Sequence, residues 1–353
     1  MKHAGTIGIL AAAMVGLVTV VGAQNGAVTG STAPLIIGAS GNMTPIVGNL
    51  EEDAKFYSDL LGLATPPPIR RRSHKDTPYP EVLKNQGTPD ATIRQVNLNV
   101  PGSPWKLEVL EFTDIDRTPS HARPQDPGAM TLVLMVRDVD GLLAKLKEDK
   151  GEVVTPGGQP VMLTTGAAKA RAVVVKAPGG HFVELQQPEP LPSTPNLPAG
   201  NVIGGHIRVT IADTDATLRL YRDQLGLHAE TGSFESDPAR LQLMGTAGAQ
   251  FRVTSVSGQS VPGHVLELVE FKGITRTPLQ TRIQDPGSAK IGLRVRDLAA
   301  TMAALKAAGG TVVTTGGTSY VYRGAPTVIV RDLNNMFMNM QEQPQSPAAA
   351  ANR

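Results

Sequence analysis

Two hydrophobic patterns alternate along this chain. In segments such as "HIRVTIAD", which begins at His206, apolar and polar residues alternate, and this period predicts a half-buried strand. The segment that follows, up to Leu227, carries apolar residues at intervals of three and four, which predicts an amphipathic helix. Further strand candidates separated by turn residues come after each helix. This order occurs four times, so the pattern predicts four strand–helix–strand–strand–strand modules.

The ends of the four predicted helices carry matching signals. Short polar side chains stand where an N-cap would accept hydrogen bonds from the first turn of the helix: Asn49, Asp138, Asp213 and Asp297. A glycine closes each helix, as is typical where the backbone turns into the left-handed region: Gly62, Gly151, Gly226 and Gly309.

The four modules form two similar halves. "FYSDLLGL" at Phe56–Leu63 returns 164 positions later as "LYRDQLGL", and "LEVLEF" at Leu107–Phe112 returns 159 positions later as "LELVEF". "RTP" and "QDPG" also occur once in each half. A proline-rich segment between the halves is typical of a linker. The sequence therefore predicts a first domain at 35–187 (modules about 35–113 and 129–187), a linker at 188–201, and a second domain at 202–343 (modules about 202–272 and 288–343).

The first residues have the layout of an export signal. A short basic start at Lys2 precedes an apolar run from Ile7 to Val21, and small residues near Ala23 suit cleavage after that position. We expect a signal peptide at 1–23, a flexible segment at 24–34 and a disordered tail at 344–353. The expected location is exported, periplasmic or secreted, with no membrane attachment after cleavage. An uncleaved membrane anchor is the alternative, because the apolar run approaches a spanning length.

Composition limits the chemistry. Lysine and arginine number 33 against 31 acidic residues, and this balance argues against a nucleic-acid partner. The one basic cluster, "IRRRSHK" at Ile69–Lys75, is interpreted as a solvated loop. The chain has no cysteine, so any metal must be held by His, Glu, Asp or neutral oxygen ligands.

Three motifs together resemble the vicinal oxygen chelate superfamily, which includes glyoxalase I, extradiol dioxygenases, and the fosfomycin and bleomycin resistance proteins. They are the strand that opens at His206, the helix motif "LYRDQLGL" and the last-strand motif "GHFVELQQ". The resemblance covers the chain from about Leu35 to about Gln343. It implies an α+β fold in which four βαβββ modules pair into two domains, each with a curled mixed sheet that forms a cup.

The same resemblance implies where metal ligands would stand, on the first and last strand of each module. The residues at those positions, in chain order, are Asn42, Glu108, Thr131, Glu184, His206, Glu267, Lys290 and Asn339. If each half closes its own cup, the first cup has no histidine and the second contains a lysine that would repel a cation. If the second module pairs with the third, the set becomes Thr131, Glu184, His206 and Glu267. That set could hold a divalent ion such as Zn, Ni, Fe, Mn or Co with positions left open for substrate.

Two functions stay open at this point. The first is a metal-dependent lyase, isomerase or dioxygenase of glyoxalase type, in which Glu184 or Glu267 serves as general base. The second is a metal-free protein that binds and sequesters a small organic ligand, as the resistance-type relatives do. Either way, the expected partner is a small oxygen-rich molecule, and the chain is a monomer with tandem domains or a homodimer. His181 and the other histidines are expected to face away from the cups or to solvent. Tyr320 and Tyr322 could line a cup.

Overall fold

A computed structural model of the chain describes residues 34–63, 69–73, 80–149, 151–258, 265–322 and 324–343. The predicted signal peptide and tail, together with His74 and His264, lie outside these residues. The strands are β1 Ile36–Val47, β2 Arg70–Ser73, β3 Thr92–Asn99, β4 Lys106–Thr113, β5 Met130–Val136, β6 Glu152–Val153, β7 Val161–Thr165, β8 Ala168–Lys176, β9 Phe182–Glu189, β10 Val202–Ile211, β11 His228–Thr231, β12 Gln250–Ser257, β13 Val265–Lys272, β14 Ala289–Val295, β15 Thr311–Val312, β16 Tyr320–Tyr322, β17 Ala325–Arg331 and β18 Phe337–Glu342. The α-helices are α1 Leu50–Lys55, α2 Pro80–Asn85, α3 Val139–Glu148, α4 Thr214–Leu218, α5 Pro238–Leu243 and α6 Leu298–Ala307.

These strands form two nine-stranded sheets, and each sheet takes one module from each half of the chain. Sheet I has the order β15-β17-β18-β14-β1-β4-β3-β2, with β16 added on β17, and so joins the first and fourth modules. Sheet II has the order β11-β12-β13-β10-β5-β9-β8-β6, with β7 added on β8, and joins the third and second. The α+β fold with two curled sheets built from paired modules is therefore confirmed. Of the two pairings that the sequence allows, the chain adopts the exchanged one.

The two first strands of each pair meet at the middle of a sheet. In sheet I, β1 and β14 run antiparallel with Thr44 opposite Lys290. In sheet II, β10 and β5 run antiparallel with Arg208 opposite Thr131. Each of these strands then pairs in parallel with the last strand of its own module. The register therefore places the middle of all four first strands at the floor of a cup.

The predicted helix starts are confirmed, but the geometry of two helices differs from the sequence expectation. All four N-cap side chains accept hydrogen bonds from backbone N–H groups in the first turn. The first-module and third-module helices, however, pass from α into π geometry at Phe56–Leu60 and Arg219–Gln224. One extra residue per turn is accommodated there, which hydrophobic periodicity does not reveal. Arg70–Ser73, expected to be a loop, instead pairs with β3 as an edge strand.

The main core lies on the convex side of both sheets. A single apolar cluster contains side chains from all four central strands, including Met43, Leu132, Ile207 and Ile291, together with residues from the helices packed against them. Burial of this shared apolar surface holds the two sheets together. Within the described residues, no helix is long and apolar enough to cross a membrane.

Candidate functional site

Sheet II brings together the four residues that the sequence selected as metal ligands. In the register of sheet II, Thr131, Glu184, His206 and Glu267 project from one face, which we call cup II. Nε2 of His206 lies 3.4 Å from Oε2 of Glu267. Glu184 is completely buried, whereas the side chain of His206 is about one third exposed, at 31%.

The middle of cup II is filled by Arg208, a residue that the sequence analysis did not select. Arg208 lies opposite Thr131 on β5 and beside Glu267 on β13. Its Nε donates to Oε2 of Glu267 at 2.6 Å, while its terminal nitrogens donate to both carboxylate oxygens of Glu184. One guanidinium therefore bridges the last strands of two different modules.

Arg208 determines the electrostatics of this cup. Burial alone would raise the pKa of Glu267, but the charge of Arg208 and the contact with His206 hold it well below its usual range. Burial would lower the pKa of Arg208, and the two carboxylates raise it instead. The group is thus a buried ion triad in which two carboxylates share one guanidinium at close range.

A divalent cation does not fit the residues present at this position. Both carboxylates that would bind the ion already share the guanidinium, and no group of three or more His, Asp or Glu side chains in the described part of the chain is arranged to hold a metal. A divalent ion about 4 Å from the guanidinium charge would be repelled by roughly 8 kcal/mol at an effective dielectric constant of 20. The donor set of cup II therefore argues against a resident metal.

The remainder of cup II is apolar and small. Its cavity measures about 20 Å³. Besides Glu184, Arg208 and Arg240, the lining is hydrophobic: Leu163, Leu243, Met244, Phe251, Val253 and Val269. Nη2 of Arg240 donates to the Thr165 hydroxyl at 2.6 Å, so this arginine is held at the rim, away from the carboxylates.

The corresponding face of sheet I, which we call cup I, has a different chemistry. Its floor carries Thr44, Glu108, Lys290 and Asn339, and its cavity measures about 50 Å³. Oε2 of Glu108 accepts from the Thr44 hydroxyl at 3.1 Å, and its Oε1 accepts from Gln95 at 3.2 Å. The ammonium of Lys290 is buried and donates to Oε1 of Gln86 at 3.0 Å.

Helix α2 forms one wall of cup I and is fixed there by the fourth module. The Thr314 hydroxyl donates to the carbonyl of Asn85 at 2.9 Å. Gly87 follows with φ +69°, and a Cβ at this position would lie 2.4 Å from the carbonyl oxygen of Val313. Only glycine permits this approach, and the turn holds Asn85 and Gln86 at the cavity.

Asn339 has an unsatisfied atom in cup I. Its Oδ1 is buried and has no hydrogen-bond partner among the described residues. Leaving a buried acceptor unpaired costs about 1–3 kcal/mol. Of the two tyrosines predicted to line a cup, Tyr322 lines this cavity and Tyr320 is not among its lining residues.

The other histidines that the structure describes, His121, His181 and His228, do not line either cavity. His181 is buried, with Nε2 2.8 Å from the carbonyl oxygen of Ser288. Burial lowers the pKa of His181 to about 4, so it is neutral near pH 7. His121 and His228 are exposed.

The comparisons with known proteins agree with this architecture. Residues 204–332 match the sequence model of the Glyoxalase/Bleomycin resistance protein/Dioxygenase superfamily. In structure the chain is similar to glyoxalase I from Zea mays, with a TM-score of 0.54 at 15% identity over 88% of this chain and 92% of that one. It is also similar to a putative dioxygenase from Bacillus subtilis subsp. subtilis str. 168, with a TM-score of 0.52 at 13% identity over 89% of this chain and 87% of that one. Among curated proteins, none matches the sequence. At these identities the structural similarity establishes a shared fold.

Proposed function

We propose that this protein binds a small oxygen-rich organic molecule without a metal ion. The premise is that residues 204–332 belong to the glyoxalase, bleomycin resistance protein and dioxygenase superfamily and that the described chain shares its fold. The observation that carries the proposal is the position of Arg208, whose guanidinium bridges Glu184 and Glu267 where a metal would need them. Cup I supports it, because a buried lysine, Lys290, lies on its floor opposite Thr44, the equivalent of Arg208.

Cup I is the better candidate for the ligand. It is the larger of the two cavities, at about 50 Å³ against about 20 Å³ for cup II. Its walls combine apolar side chains with several polar groups that converge on one space. Such a lining orients a ligand through a few directed hydrogen bonds.

A metal titration tests the proposal. The protein without an affinity tag is dialysed against Zn, Ni, Mn or Fe(II), and bound metal is quantified for the wild type, His206→Ala and Arg208→Thr. Thr44 occupies the position of Arg208 in the first module, so this substitution uses a residue already found at an equivalent site. We expect substoichiometric metal in the wild type and in His206→Ala. Arg208→Thr should gain about one equivalent, because two carboxylates and an imidazole then face each other without a counter-charge.

Arg240→Thr is the matched control, since it removes the same charge from the rim of cup II without touching either carboxylate. It should bind no more metal than the wild type. One equivalent of metal in the wild type that is lost in His206→Ala would overturn the proposal. This comparison does not depend on whether Arg208→Thr folds.

The metal-dependent enzyme remains the second candidate because of one observation. Glu184, His206 and Glu267 do lie on one face of one sheet, and His206 contacts Glu267. That function requires Arg208 to leave both carboxylates before either could bind a metal or accept a proton. The same titration distinguishes the two candidates.

The proposal also includes export of the protein. The basic start, apolar run and small residues before position 24 support secretion with cleavage after Ala23. Expression of the full chain with determination of the mature N-terminus tests this point. A mature protein that begins at Gln24 in the exported fraction is expected, whereas retention of residues 1–23 in the membrane fraction would support the anchor instead.

A further inference from the structure

The two cups diverge at equivalent positions of the internal repeat. Three wall positions that carry amides in cup I carry apolar side chains in cup II, as the pairs Asn85 and Leu243, Gln86 and Met244, and Gln95 and Val253 show. Both cups have the same backbone plan, so these differences do not follow from the fold. They make cup I a polar cavity and cup II an apolar one.

The polar groups of cup I balance in charge. The floor holds one carboxylate, Glu108, and one ammonium, Lys290, and the other polar lining groups are amides and a phenol. A carboxylate or a phosphate in the same cavity would be attracted by Lys290 but repelled by Glu108, and the reverse holds for a cation, so the pair gives a charged ligand no net gain. A neutral ligand meets neither penalty.

The hydrogen-bonding groups require a ligand that both donates and accepts. The unpaired Oδ1 of Asn339 needs a donor, and Glu108 is also an acceptor. Lys290 and the amide NH₂ groups are donors. A hydroxyl group is the simplest group that donates and accepts at one atom.

The apolar part of the lining completes the description. Val82, Ile93 and Leu110 line the same cavity, together with the ring of Tyr322. Such surfaces suit the C–H faces of a carbon skeleton whose hydroxyls point to the polar side.

We propose that cup I binds a small uncharged polyhydroxylated molecule, a polyol or monosaccharide, through Glu108, Lys290 and Asn339. In this arrangement one ligand hydroxyl donates to Oδ1 of Asn339 and another to Glu108, while Lys290 donates to a ligand oxygen. The inference rests on the proposed metal-free function, and it specifies the ligand class.

Binding is tested on the full-length protein with defined compounds. Saturation-transfer NMR and calorimetry are carried out with glycerol, erythritol, myo-inositol and D-glucose, and in parallel with D-glucuronate and D-glucosamine. We expect at least one neutral compound to bind, and the charged analogues of D-glucose to bind at least about tenfold more weakly than D-glucose itself.

Variants assign the binding to cup I. Asn339→Leu removes the unpaired acceptor at nearly constant volume, and Gln95→Val introduces the residue that cup II carries at the equivalent position. Each should weaken polyol binding by about tenfold or more. Arg240→Thr, at the rim of cup II, should bind the same compound with wild-type affinity.

Three results would overturn the inference: no neutral compound binds, a charged analogue binds more tightly than D-glucose, or both cup I variants bind as the wild type does. The metal titration of the same preparations separates this failure from that of the proposed function. Metal-free protein that binds no polyol contradicts only the ligand class. Polyol binding that appears only after metal is loaded contradicts the metal-free function itself.

Discussion

At the scale of single residues, the carboxylate of Asp53 is buried with little hydrogen bonding to offset the loss of solvent. It lies on α1 and is 1% exposed, and its Oδ1 accepts from the backbone N–H of Gly179 at 3.0 Å. Its Oδ2 has no hydrogen-bond partner among the described residues. Burial raises the pKa of Asp53 to about 7, with smaller contributions from the nearby Glu52 and Glu111. In the second half of the chain, Thr217 occupies the equivalent position without a charge.

This environment makes stability depend on pH. An unfolded aspartate loses its proton near pH 4, whereas folded Asp53 keeps it up to about pH 7. Between these values the folded state binds the extra proton, so the free energy of unfolding falls as the pH rises and levels off above about 7. Asp53→Asn should remove this fall, and above pH 7 it should be more stable than the wild type by on the order of a few kcal/mol. Urea unfolding at pH 4.5, 6 and 8 measures the effect.

Asp59→Asn is the control for this measurement, because Asp59 is exposed on the adjoining helical turn. Its stability profile should follow that of the wild type at all three pH values. Parallel profiles for the wild type and Asp53→Asn would show that Asp53 does not hold its proton in the folded protein.

Arg208 shows what the sequence could and could not predict about the site. Strand parity places Arg208 on the same face as His206, two residues earlier, so its presence in the cup follows from alternation. Its role does not, because a flexible arginine can extend to solvent or fold back onto a carboxylate. Only the three-dimensional positions of Glu184 and Glu267, on strands from different modules, decide between these outcomes.

At the scale of elements, two loops tie the halves together in a symmetric way. The "RTP" segment of each half crosses the "QDPG" turn of the other. Asp126 accepts from the backbone N–H of Thr277 at 2.7 Å, and Asp285 accepts from that of Thr118 at 2.8 Å. Each aspartate also forms an ion pair with the arginine three residues before it. The motif is therefore a structural clamp between halves.

Removing one clamp should lower stability more than removing its ion pair. Asp126→Ala leaves the N–H of Thr277 without its acceptor, and we expect the free energy of unfolding to fall by about 2–3 kcal/mol. Arg123→Ala removes an exposed partner of the same carboxylate and should lower the free energy of unfolding by less than Asp126→Ala does. Chemical denaturation of the two variants compares these values. Equal losses would show that the ion pair, rather than the backbone contact, carries the stabilisation.

Predictability at this scale depends on how local the cause is. The four helix starts follow from one side chain and the turn beside it, so sequence inspection finds them. The walls of the cups cannot be found in this way, because the positions of α2 and α5 depend on contacts with strands far along the chain. Asn85, for example, is held by Thr314, 229 positions later.

At the scale of the whole molecule, the internal repeat predicts four modules but leaves their pairing open. Each module begins with a strand whose backbone N–H and C=O groups could pair with the first strand of any other module, so the sequence does not show which first strands pair. The linker permits either arrangement. The pairs that form, β1 with β14 and β10 with β5, are set by the combined packing of both sheets on one core.

The exchanged pairing predicts the behaviour of a chain cut in its linker. Residues 191–197 of the linker connect β9 to the docked segment at Pro198–Asn201. There the Arg137 guanidinium donates to the carbonyls of Pro198 and Gly200, and the backbone N–H of Asp138 donates to Oδ1 of Asn201. A protease site inserted between Ser193 and Thr194 therefore allows cleavage without disturbing a strand. Because each sheet contains strands of both halves, the cut protein should elute as one particle of unchanged size and should separate only in denaturant. Two half-sized species under native conditions would mean that each half closes its own cup.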